Sequence, residues 1–180
     1  TMELLLTHPL RDREIVFGKF GAALGMLLVM MAVIGVYLGI MAYYATVAAD
    51  VLLFGLLAVF LMGSAFMSLG LFVSAMAGNQ ITAGTMTFGL SLVLYILGTL
   101  GENLPKKNPA PDTWPETLRN AAGTVYGVFR EAVQQLPLDA HAKEMAKGIL
   151  QPEDIAYYLL VSAFFLFLTF RAIESRKWRA

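Results

Sequence analysis

The 180-residue chain has no cysteine, which excludes thiolate chemistry, disulfides and sulfur-ligated zinc or iron–sulfur sites. Charge is also scarce. Asp, Glu, Lys and Arg make up 14% of the residues, roughly half the share of a soluble domain. The 13 basic and 13 acidic side chains cancel, so no positive excess is available for phosphates and a nucleic-acid binder is excluded. There is no His-Glu-x-x-His, and the two histidines, His8 and His141, fall on opposite sides of the membrane predicted below, so they cannot share a metal. The one Gly-Lys pair, Gly18-Lys19, is followed by Phe20 and lacks the hydroxyl that a phosphate-binding loop presents to Mg²⁺. No basic n-region precedes an apolar run, so a signal peptide is not expected. Catalysis by this chain alone has no nucleophile–base pair to work with.

What is present is apolar surface. Residues of the Ala, Val, Ile, Leu, Met, Phe, Trp, Tyr and Cys set reach 58%, and 16 glycines add to it. No charge occurs between Lys19 and Asp50 or between Asp50 and Glu102. A bilayer core about 30 Å thick needs roughly 20 apolar helical residues. The first gap accommodates one span. The second, 51 residues long, accommodates two, divided at the polar turn Ala77-Gly78-Asn79-Gln80. Membrane helices are therefore expected at 16–44, 51–76, 81–100 and 155–171, the last extended by snorkelling of Arg171. The expected fold class is all-α, a polytopic transmembrane bundle forming one domain over 1–180.

Lysine and arginine set the orientation. The start and the 172–180 tail, with Arg171, hold seven basic against four acidic residues; the 101–154 segment with Asp50 holds six against nine. Both termini are expected in the cytoplasm and 101–154 outside. Tyr43, Tyr44, Tyr157 and Tyr158 then sit at the outer interface, as an aromatic belt would. In the external segment, prolines 105, 109 and 111 mark a loop. A helix is expected from Pro115-Glu116 to Pro137, with Leu118, Val125, Val128 and Phe129 at helical spacing. A second, capped by Asp139, is expected to run to about Ile149 with Met145 and Ile149 on one face. Both read as amphipathic helices lying on the outer membrane surface or capping the bundle.

Within the spans the polar residues are Ser64, Ser68, Ser74, Thr82, Thr85, Thr87 and Ser91, expected to hydrogen-bond between helices, and no Asp or Glu is present for a proton relay. Small residues recur four apart at Gly21/Gly25, Gly35/Gly39 and Gly70/Ser74/Gly78, a spacing that admits close helix packing within the chain or against a partner. The ten methionines are expected to fill packing gaps. At the cytoplasmic start, Met2-Glu-Leu-Leu-Leu-Thr7 is a short apolar helix broken near Pro9 and followed by Arg11-Asp-Arg-Glu14, which is either a docking segment or a lipid anchor.

The two ends carry a resemblance. Residues 1–20, TMELLLTHPLRDREIVFGKF, resemble the stretch before the third membrane helix of ABC-2 type transporter permeases. Residues 147–158, KGILQPEDIAYY, and 164–179, FFLFLTFRAIESRKWR, resemble the approach to that family's last helix and its basic tail. Permeases of the gliding-motility and nitrous-oxide-reductase maturation type are similar. The resemblance implies a permease subunit paired with a second permease subunit, as a homo- or heterodimer. ATP and Mg²⁺ would be bound by separate ATPase subunits, and this chain would hold no cofactor. It implies that residues 1–14 form a cytoplasmic coupling helix, with Glu3, Leu4, Leu5, Leu6, Thr7, Pro9 and Arg11 contacting the ATPase. Six membrane helices are usual in that family, so the first two are expected to be missing upstream of Thr1. The alternative class is a non-transporting membrane scaffold or assembly factor.

Overall fold

The structure is a computed structural model that describes residues 12–45, 48–105, 111, 115–135 and 137–177. Six α-helices follow one another: α1 Asp12–Tyr44, α2 Ala49–Met76, α3 Gln80–Asn103, α4 Glu116–Gln135, α5 Leu138–Ala146 and α6 Pro152–Lys177. Four of them, α1, α2, α3 and α6, are long and apolar enough to cross a membrane. In lipid a spanning segment must satisfy its own backbone, and only a continuous helix does so for a single strand of chain. The helices run past the uncharged cores because backbone bonding continues into the headgroup layer. The 33 residues of α1 extend for about 50 Å, well beyond the hydrocarbon thickness.

Local chemistry explains the turns. Between α2 and α3, the Asn79 side chain accepts a hydrogen bond from the Thr82 amide at 2.7 Å and caps α3. α5 departs from the sequence expectation at both ends. Its N-cap position is Pro137, which offers no side-chain bond, and Asp139 lies inside the first turn. Its far end is set by Gly148, whose φ of +84° is open to glycine at little cost. The Gly148 amide bonds the Met145 carbonyl and the Ile149 amide bonds that of Glu144, closing the helix in a Schellman pattern. The chain therefore leaves the helix before Ile149, which is 49% exposed, whereas Met145 is fully buried.

α2 is the hub. It packs against α1, α3, α5 and α6, and the largest of these interfaces is with α6. Its buried residues are mostly small: Ala58, Leu61, Ser64, Ala65, Ser68, Leu69 and Val73. Lipid is as apolar as leucine, so helices are held by close van der Waals contact, and small side chains permit it. Four of the hydroxyls in the spans bond within their own helix and not between helices as expected. Ser64 and Ser68 each donate to a carbonyl three residues earlier, both at 2.7 Å, and Thr85 and Thr87 likewise bond within α3. A β-carbon hydroxyl reaches its own helix backbone more readily than a partner, so these four are satisfied within their own helices.

Glycine contacts show where backbones come close. A methyl at Gly63 would stand 2.9 Å from Leu27, and one at Gly101 would stand 2.9 Å from the Val133 carbonyl oxygen. At Gly21, Gly25, Gly35, Gly39 and Gly78 it would meet nothing within 4 Å; at Gly70 it would touch Thr87 at 3.4 Å. Ser74 is exposed. Gly101→Ala is expected to lower stability by about 1–3 kcal/mol, because the obstructing atom is backbone and cannot rotate away. Gly21→Ala is expected to be neutral or to stabilise by up to about 1 kcal/mol. Unfolding of the detergent-solubilised variants measures the difference.

Candidate functional site

At the end of the bundle where α1 begins and α6 ends, the first turns of α1 meet the last half of α6. Val16 is buried there at 3% exposure. Arg13, Val16 and Phe17 together with Leu166, Phe167 and Phe170 line a groove of about 460 Å³. The expected contact residues Glu3, Leu4, Leu5, Leu6, Thr7, Pro9 and Arg11 lie outside the described residues, as does His8.

The opposite end is closed by α5. This helix does not rest on the bundle surface. Its start is driven between α3 and α6, with Leu138 and Met145 joining Ala58, Leu61, Ala65 and Tyr158 in one buried cluster. Space for it comes from α3: a methyl at Gly98 would fall 2.7 Å from Asp139 Oδ1 and 3.1 Å from Pro137. Where the segment returns to α6, a methyl at Gly148 would lie 3.0 Å from Val51 near the start of α2.

Polar bonds fasten α5 in this seat. His141 Nδ1 lies 2.7 Å from Asp154 Oδ1, and Asp154 is only 5% exposed. The imidazole stacks on Tyr157 at a ring separation of 4.0 Å. Tyr158, with no exposed surface, donates its hydroxyl to the Leu138 carbonyl. Tyr158 is therefore a core residue and not part of an aromatic belt, while Tyr43 and Tyr44 are more than 80% exposed, as a belt requires. A buried carboxylate needs a partner to offset its lost hydration. Asp154 has one on a single oxygen; its Oδ2 is buried with no hydrogen-bond partner, as is Ser162 Oγ two turns along α6.

Sequence reasoning weighed His141 only as a metal ligand and passed over Asp154, Gly98 and Gly101. The i, i+4 pair Asp154 and Tyr158, together with Ser162, marks a polar line along one apolar helix, and that line was the available signal. Among the described residues, no group of three His, Asp or Glu side chains gathers to hold a metal ion.

Four apolar spans tied by close packing, with a short helix wedged into one end, define a multi-pass membrane protein. The sequence matches the family model described as ABC-2 family transporter protein over residues 1–170, and the chain belongs to that family. No curated protein or solved structure is significantly similar to it.

His141→Ala is expected to cost about 3 kcal/mol, since it strands the Asp154 carboxylate in the core. Asp154→Asn should cost less, and the two losses should combine to well below their sum in a double-mutant cycle followed by thermal unfolding.

Proposed function

We propose that this chain is the membrane-spanning permease subunit of an ABC-2 type transporter, coupling ATP hydrolysis by a separate ATPase subunit to export of a substrate. The single observation that carries the reading is the family match over residues 1–170. The architecture supports it mechanically. Residues 1–11 lead without a break in sequence into α1, whose first turns are packed on α6.

In this reading both termini face the cytoplasm, the chain resides in the inner membrane, and Met2 to Pro9 form the coupling helix. Leu4, Leu5 and Leu6 enter an apolar groove of the ATPase, while Glu3, Thr7 and the charges from Arg11 to Glu14 hold its orientation. ATP and Mg²⁺ bind the ATPase subunits. A second permease subunit completes the pathway, and the open glycine pairs Gly21/Gly25 and Gly35/Gly39 suit close approach of its helices. Closure of the ATPase dimer pushes the coupling helix and tilts α1 together with α6. Work is done only if the two tilts differ in their contacts with ATPase or substrate, since a ligand that binds both equally shifts nothing.

Leu5→Asp, or removal of residues 1–9, is expected to abolish co-purification with the ATPase subunit while leaving the chain folded in the membrane. Capture of the ATPase at wild-type yield by both variants would overturn the coupling-helix assignment. Failure of the unaltered chain to capture any ATPase would favour the scaffold alternative.

A further inference from the structure

The groove between α1 and α6 has a charged mouth and an apolar body. Val16 is buried at its base, whereas Phe17 and Phe167 on its walls are 63% and 59% exposed. The groove therefore opens outward, to whatever surrounds the bundle, and not into the protein. Leu166 and Phe170 continue the apolar wall along α6, and Arg13 brings a charge to the lining.

Depth puts these groups in a telling order. On α6 the stretch from Ile155 to Phe170 carries no charge, and Arg171 follows it. Phe170 thus marks the edge of the hydrocarbon, and Arg13, which shares the groove with it, stands at headgroup level. The lining runs back along α6 to Ala163, seven residues and about 10 Å deeper at the helical rise. Charge at headgroup level above an apolar wall is the polarity profile of a phospholipid. The sign of the charge narrows the headgroup. Residues 1–20 and 171–180 hold seven basic and four acidic side chains, so this end of the bundle attracts anionic lipid. Arg171 is engaged with Glu174 at 3.0 Å, which leaves Arg13 as the guanidinium that the groove itself presents.

We propose that this groove is a site for one anionic phospholipid of the surrounding leaflet, with its phosphate on Arg13 and an acyl chain laid along Phe17, Leu166 and Phe167. A guanidinium meets a phosphate through two parallel N–H···O bonds, each stronger than a bond between neutral groups. A zwitterionic lipid offers the same phosphate, but its own cation cancels the attraction of the positive end. The groove's volume of about 460 Å³ falls within the range of about 300–1,000 Å³ usual for small-molecule clefts. Seated there, the lipid touches α1 and α6 together and binds the two spans to each other. The proposal rests on the chain spanning a membrane and does not depend on an ATPase partner.

Trp114→Phe and Trp178→Phe remove both native tryptophans, and Phe167→Trp or Phe88→Trp then supplies a single reporter. Phe88 is 70% exposed in the first half of α3, away from the groove, and serves as the control. Each 180-residue protein is reconstituted in phosphatidylcholine vesicles containing a small fraction of dibrominated phosphatidylglycerol, or the same fraction of dibrominated phosphatidylcholine. The ratio of the two quenching efficiencies removes differences in depth. It is expected to be several-fold higher at 167 than at 88, to fall to the control value in Arg13→Gln, and to survive in part in Arg13→Lys. Raised salt in the protein that keeps Arg13 is expected to weaken the preference, a check that requires no variant at that position. Equal ratios at 167 and 88 would overturn the proposal, as would a preference that persists in Arg13→Gln. So would weak quenching at 167 by both lipids beside strong quenching at 88, which would mean that a second copy of the chain covers the groove.

Discussion

The constraint on which everything else depends is that lipid gives these helices no hydrophobic reason to associate. What holds them is close atomic contact, and α2 supplies it with a face of Ala58, Ala65, Ser64 and Ser68 narrow enough for α6 to approach. α1 reaches the same hub through Leu27 against Gly63, and α3 through Thr87 against Gly70. Each is a dispersion contact whose worth lies in number and fit and not in any one pair. A central helix made of leucine would have surrendered that fit.

The end closed by α5 obeys a different logic. A short helix of nine residues is marginal by itself and holds its shape only through what it packs against. Here Pro137 and Gly98 let it enter, Met145 and Leu138 fill the gap, and the His141–Asp154 and Tyr158–Leu138 bonds fix its register. Burying Asp154 is tolerable because His141 comes with the same segment. Insertion of α5 and satisfaction of the carboxylate are therefore one event.

The spans were legible in the sequence because the absence of charge over long stretches marks helices that lipid surrounds, and the Ala77–Gln80 turn because a short polar stretch divides an apolar run. The α5 helix itself was legible, but the burial of Tyr158 and the depth to which α5 enters the bundle were not. Local spacing makes Leu138–Ala146 look like a surface helix with a mixed face, and only the gap opened by Gly98 on a distant segment turns it inward. The small-residue pairs were read from spacing alone, which finds glycine stripes without saying what faces them. Among the described residues the tightest approaches are instead at Gly63, Gly98 and Gly101, none of which belongs to the pairs read from spacing. The proposed ATPase contact was legible only through family resemblance, since a run of three leucines before a proline has many uses.

The serine and threonine hydroxyls along α2 and α6 carry a last consequence. Ser64, Ser68 and Thr169 are all spent on their own helix, whereas the side-chain hydrogen bonds described between one helix and another cluster where α5 is seated. Along Ser64 to Ser68 and around Thr169 the hydroxyls therefore give α2 and α6 no grip on each other, and what those stretches can exchange as they slide is dispersion contact alone.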